Sequence, residues 1–144
     1  MAYEIKREPE DFVVEEITPA KKVLKIGKKY KFKEGQGDQL ICVLQKRNWD
    51  TNLAISEISN RLFVSRKRIG FAGTKDKRAV TTQRISLWKI KNAERLSIKD
   101  MILTPLENSD TRIDLGDLWG NRFTIKVYTK KKPKLTNTCS LIRP

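Results

Sequence analysis

Gly73-Thr74-Lys75-Asp76-Lys77-Arg78-Ala79-Val80-Thr81-Thr82-Gln83 changes character halfway along. Its first half opens on glycine and sets one acid among three cations, the composition of an exposed loop. Its second half is β-branched and runs on through Arg84-Ile85-Ser86-Leu87-Trp88, so Val80 to Trp88 reads as a strand. The apolar residues Ile69 to Ala72 read as a second, shorter strand before the loop. Asp76 therefore sits between two strands. Neighbouring cations favour the charged form of an acid, and such a carboxylate suits attack on an electrophile carried by a polyanion. On local pattern alone, an Asp in such a loop is more often a turn former that bonds its own backbone. No second carboxylate lies close in sequence, so a glycosidase-type acid pair is not indicated.

Upstream, Ser65-Arg66-Lys67-Arg68 is a basic connector. Before it, a helix begins at Thr51, with Thr51 as its cap and Leu53, Ala54, Ile55, Ile58, Leu62 and Phe63 as a broad apolar face. Residues 40–47 read as an apolar strand. Lys29-Tyr30-Lys31-Phe32-Lys33 alternates with period two, and Glu34-Gly35-Gln36-Gly37-Asp38 is a turn. The stretch 28–47 is thus expected to be a β-hairpin. Residues 11–17 form a further strand after Pro9. Downstream, 93–100 reads as a short helix. Thr111 to Leu115 and Arg122 to Thr129 read as strands joined by a turn over Gly116 to Asn121. The sum is α+β: a mixed, mostly antiparallel sheet with one or two helices.

The chain has 144 residues, enough for one domain with its own core. Its 31 Lys and Arg against 17 Asp and Glu leave a formal charge of +14, which favours a polyanionic partner. No apolar run approaches the roughly 20 residues that span a bilayer, and no signal-peptide core is present. The reading is a cytoplasmic protein without membrane association. Cys42 lies in an apolar run and Cys139 in a polar one, and they form no CxxC pair. The absence of histidine rules out Ser-His-Asp and Cys-His catalysis and histidine metal sites within this chain. No metal and no cofactor is expected. Catalysis would use a carboxylate, a lysine, a hydroxyl or a thiol.

Three separated segments carry a resemblance. Lys6-Arg7-Glu8-Pro9-Glu10-Asp11-Phe12-Val13-Val14 follows K-x-x-P-E-D-F-x-V. The Asp76 loop follows G-x-K-D-x-x-A-x-T-x-Q. Leu115-Gly116-Asp117-Leu118-Trp119-Gly120-Asn121-Arg122-Phe123 follows L-G-x-x-x-G-N-x-F. Together, in this order, they resemble the motifs of the TruD family of tRNA pseudouridine synthases, over about residues 5–128.

The resemblance implies isomerisation of a tRNA uridine, position 13 for many members, to pseudouridine. The N-glycosidic bond breaks, the base turns, and a C–C bond forms through C5. Asp76 matches the catalytic aspartate, as nucleophile or as base for glycal formation. Phe123 matches the aromatic under the flipped base, and Asn121 the asparagine beside it. Lys6 matches a lysine near the catalytic acid, Phe12 a phenylalanine near the site, and Lys75 belongs to the loop motif as a substrate-binding residue. Thr81 and Gln83 are expected to brace the loop. Without the resemblance, Phe123 and Phe12 read as core residues, Asn121 as a turn residue and Lys6 as a solvated lysine.

Family members continue through a motif resembling N-x-F-G-x-Q-R-F-G, the rest of the catalytic domain and an inserted domain. The expectation is therefore a partial catalytic domain over 1–129 and a basic, poorly ordered tail over 130–144. Uncovered strand edges would then be met by a C-terminal half or by a second copy of the chain. The alternative class is a non-catalytic basic RNA-binding module.

Overall fold

The structure is a computed structural model and describes residues 4–5, 7–128 and 134–140, the first two and the last seven by their backbone only. Eight strands form one sheet. They are β1 Glu4–Ile5, β2 Phe12–Ile17, β3 Gln39–Arg47, β4 Ile69–Phe71, β5 Val80–Trp88, β6 Met101–Ser109, β7 Gly120–Tyr128 and β8 Lys134–Ser140. Among the described residues one α-helix, α1, spans Thr51–Leu62.

The strand predicted from the β-branched run, β5, is the spine of the sheet. β3 pairs antiparallel along its whole length, from Arg47 opposite Val80 to Gln39 opposite Trp88. Two strands share the other edge of β5. β2 runs parallel beside Val80, Thr81 and Thr82, and β4 runs antiparallel beside Ile85, Ser86 and Leu87. β7 continues the sheet beyond β2, with β1 end to end with β2 and β8 on the far edge. β6 lies outside β3. The one parallel pair among these strands makes the sheet mixed and mostly antiparallel, as expected.

Alternation gives the sheet two faces. Cys42 and Leu44 of β3 stand with Ile85 and Leu87 of β5, and Ala54, Ile55 and Ile58 of α1 pack onto them. Full burial of each such aliphatic side chain stabilises by about 1.5–3 kcal/mol. Burial also pushes the Cys42 thiol up to about 12, leaving it an inert core residue. On the opposite face Ile41, Ala72 and Ile113 form a smaller cluster.

Several elements depart from the sequence reading. The helix is capped by Asp50, whose carboxylate accepts from Leu53 N–H at 3.1 Å, and not by Thr51, which is wholly buried. Phe63, counted on the apolar face, lies past the helix end at φ 56° and is 94% exposed. The 28–47 hairpin does not form. Both edges of β3 are taken by β5 and β6, so residues 28–33 touch the sheet through an isolated bridge from Lys33 to Glu107. β6 has no counterpart in the sequence reading, and Pro105 lies within it. An outer strand tolerates a proline, and here it sits opposite Cys42 at a register shift in the ladder.

Thr111 to Leu115 crosses the second face instead of joining the ladder. Ile113 N–H donates to Ser86 Oγ at 3.1 Å, and Gly116 N–H to Ala72 O at 2.8 Å. Gly70 makes that approach possible, since a Cβ there would lie 2.3 Å from Ile113 O. The helix expected over 93–100 is a 3₁₀ turn, Ala93–Arg95. Within the stretch expected to be a loose tail, Lys134–Ser140 pairs with Val127 to Asn121. The far edge of β7 offers backbone groups to a further strand, and the alternating Thr136 and Thr138 have strand propensity. Among the described residues no helix is long and apolar enough to cross a membrane.

A candidate active site beneath the Asp76 loop

Register decides which side chains meet the loop. Phe123 lies opposite Val14, Val14 beside Thr81, and Thr81 opposite Lys46. These four form one row across the sheet. Two residues along, on the same face, Asn121 lies opposite Glu16 and Gln83 opposite Leu44. Helix α1 covers the Ile85–Leu87 end of that face and brings its first turn to the other end. The loop arrives there just before β5 begins.

The result is a cavity of about 440 Å³, within the roughly 300–1,000 Å³ range of small-ligand pockets. Thr74, Lys75, Asp76 and Lys77 of the loop line it, with Asp50 and Asn52 from the start of α1, Val14 from β2, and Asn121 and Phe123 from β7. The second and third motifs thus share one cavity. The first contributes Val14 directly. Lys6 lies outside the described residues.

A buried hydrogen-bond chain fixes the loop. Lys75 N–H donates to Thr51 Oγ1 at 2.9 Å, the Thr51 hydroxyl to Gln83 Oε1 at 3.2 Å, and Gln83 Nε2 to Gly73 O at 2.9 Å. Gln83 braces the loop as its motif suggested. Thr81 Oγ1, by contrast, is buried and has no hydrogen-bond partner among the described residues. Thr51→Val keeps the shape but leaves Lys75 N–H unsatisfied. It is expected to cost about 1–3 kcal/mol, read by chemical denaturation.

Lys75 lines the cavity, and its ammonium is taken by Glu16. Nζ lies 3.1 Å from Glu16 Oε1, with both side chains at most 2% exposed. The other Glu16 oxygen accepts Arg84 N–H at 2.9 Å. Asp76 itself is exposed, and its carboxylate accepts no hydrogen bond from a described residue. The Phe123 ring packs on Phe12 at 5.9 Å between centroids, tilted by 49°. Phe12 is 8% exposed and stands behind Phe123 in a cluster with Val14 and Ala79, outside the cavity wall. Asn121 Oδ1 is buried without a partner among the described residues.

The remaining motif residues hold elements together. Asp11 accepts from Tyr128 Oη at 2.9 Å and from Glu8 N–H at 3.1 Å, tying the turn before β2 to the end of β7. Arg122 donates to Glu15 through Nε and Nη2 at 2.9 and 2.7 Å on the opposite face.

Sequence reasoning missed Glu16, Asp50, Asn52 and Lys46. Two of them carried a signal. Glu16 is in phase with Phe12 and Val14, and Lys46 with Cys42 and Leu44, so both charges fall on an otherwise apolar face. Lys46 is 1% exposed, and its Nζ donates to Trp49 O at 2.6 Å. Burial pushes its ammonium down to about 8; Asp50 and Asp76 oppose that shift and Lys75 adds to it.

The chain matches the family model "tRNA pseudouridine synthase D (TruD)" over residues 1–143. It is 48% identical over 136 residues to "Probable tRNA pseudouridine synthase D 1" of Methanocaldococcus jannaschii, covering 91% of this chain and 34% of that protein. To the Archaeoglobus fulgidus protein of the same name without the final numeral it is 44% identical over 130 residues, covering 89% and 29%. The crystal structure of a Methanosarcina mazei protein given the name TruD superposes with a TM-score of 0.73 at 42% identity, over 87% of this chain and 26% of that one. The chain therefore spans about a third of the length of the relatives it matches. The match along almost its whole length shows that the chain belongs to the TruD family.

Proposed function

We propose that this chain carries the catalytic pocket of a tRNA pseudouridine synthase, with Asp76 as its working carboxylate. The observation that supports this most is convergence. Residues of all three separated motifs line one cavity, which brings together an exposed carboxylate, an aromatic ring and an unsatisfied amide oxygen. A uridine taken out of its stack needs a surface to lie on and groups to read its edge. Phe123, backed by Phe12, is that surface. Asn121 Oδ1 is an acceptor for the uracil N3–H. Lys77 and the +14 charge of the chain favour the phosphate backbone around the flipped nucleotide. Lys75 shapes the pocket through its backbone and its bond to Glu16, and Lys6 is assigned its role by the match to the family lysine alone.

The reaction needs no external reactant. Asp76 acts on the ribose, as nucleophile or as base. The C–N bond breaks, uracil turns within the cavity, and the anomeric carbon bonds to C5, freeing Asp76; C5 then loses its proton and N1 gains one, so the overall change is an isomerisation. The test is to incubate the chain with unmodified tRNA transcripts and map pseudouridine at nucleotide resolution, position 13 first. Product at one site supports the reading. Salt-sensitive tRNA binding without product, even after adding the C-terminal portion of a relative, would favour the non-catalytic RNA-binding module. Phe123→Ala is expected to lower kcat/KM by roughly 10- to 100-fold, in line with about 1–3 kcal/mol of base–aromatic stacking. Phe123→Tyr is expected to retain most of the activity in the same assay.

A further inference from the structure

We propose that Lys46 is a positioning residue of the Asp76 cavity, its buried ammonium fixing the turn that delivers Asp50 and Asn52 and acting as countercharge to the carboxylates above it. Nothing in the three family motifs includes this residue. A lysine almost never lies fully buried unless it is paired, and here the direct partner is one backbone carbonyl. That carbonyl belongs to Trp49, immediately before the Asp50 cap and the Asn52 wall of the cavity. Asn48, at φ 59°, makes the bend, and its N–H is held by Ala79 O at 3.0 Å. The turn is therefore clamped between β3 and the end of the Asp76 loop.

The charged groups facing Lys46 come from both elements over it: Asp50 from the helix cap, and Lys75 and Asp76 from the loop. Its ladder partners, Thr81 of β5 and Met101 of β6, add no charge. Glu16 holds Lys75, which leaves Lys46 as a second buried cation beneath Asp50 and Asp76. A methionine or leucine in phase with Leu44 would fill the space, but it could neither bond Trp49 O nor place a charge beside Asp50 and Asp76.

The sign of the pH effect follows. The folded-state value, about 8, lies below that of an ordinary lysine. The countercharge is present below pH 8 and is lost as pH rises through it. Over the same interval the unfolded chain binds the proton more tightly, so folding stability rises with pH. Activity and stability are expected to move in opposite directions across one ionisation.

The activity part rests on the functional reading above, and the test separates the two. In the 144-residue chain, lysine ¹³Cε resonances are titrated by NMR in wild type, Lys46→Arg, Asp50→Asn and Asp76→Asn. The expected result is one resonance with a midpoint near 8 that is missing in Lys46→Arg and moves lower in each Asn variant. Titration of every lysine in the ordinary range, or no response to Asp76→Asn, overturns the proposal. In the pseudouridine assay, Lys46→Met is expected to lower kcat about 100-fold, the scale of a misplaced catalytic group, with tRNA affinity within twofold. Lys46→Arg is expected to keep activity and lose the decline above pH 8. Wild-type kcat in Lys46→Met overturns the proposal. Absence of product from wild type would strike the functional reading alone, and the NMR arm, which does not need a folded Lys46→Met, would still decide the role of Lys46.

Discussion

Asp76→Ala is expected to reduce pseudouridine formation by about 10⁴-fold, the scale seen when a group central to the chemistry is removed, while tRNA affinity stays within twofold. The two halves of that expectation have separate origins. The carboxylate is exposed at the cavity and accepts no hydrogen bond from a described residue, so its removal strips no support from the loop. The loop is held through the Lys75 and Gly73 backbone by Thr51 and Gln83, which the substitution leaves untouched. Stability should change by no more than about 0.5 kcal/mol, as for other surface sites. Binding should hold because phosphate contacts supply most of the affinity for nucleic acid. Single-turnover product mapping alongside a filter-binding isotherm checks both. A mutant that still forms product would remove Asp76 from the chemistry, and one that loses binding in step with product would mark it as a docking residue.

The largest effect on stability is expected at the buried pair beneath the loop. Lys75→Met should cost about 3–5 kcal/mol, because it leaves the Glu16 carboxylate buried with Arg84 N–H as its remaining contact. Glu16→Ala should cost a similar amount by stranding the Lys75 ammonium. Replacing both with apolar residues of similar volume, Lys75→Met with Glu16→Leu, should recover most of the loss, since the pair must offset its own desolvation. The coupling in a double-mutant cycle, read from urea midpoints, is therefore expected to be large and favourable. Additive single effects would mean that the pair does not act as a unit. The double variant also separates fold from function. If it folds yet makes little product, the ion pair serves to hold the loop over Phe123, and the cost of two buried charges is retained for that purpose.

Much of the frame was legible from local pattern. β2 and β5, with their β-branched alternation, and α1, with Ala54, Ile55 and Ile58 at helical spacing, fall where periodicity puts them. The errors share one cause. Thr51 has the chemistry of a cap, but Asp50 competes for that place, and the Thr51 hydroxyl is drawn to Lys75 and Gln83, 24 and 32 residues away. Residues 29–33 alternate like a strand, but strand propensity forms no ladder when the adjacent edges are filled. β6, which the sequence reading did not identify, carries Pro105, and an outer strand accommodates a proline.

For the candidate site the division is sharper. Residue order alone singled out Asp76, Phe123 and Asn121 as candidates, because the motifs that contain them are contiguous, and all three line one cavity. It also sufficed for the expectation that an acid in a basic loop faces a polyanion. The cross-strand row Phe123–Val14–Thr81–Lys46 could not be read that way. It depends on the parallel register of β2 against β5, and a one-residue slip would turn each side chain of β2 to the other face. That register also turns Lys75 onto Glu16 and withdraws Phe12 behind Phe123. Chemical type is a property of the residue, whereas burial and pairing belong to neighbours that arrive from 30 to 60 positions away along the chain.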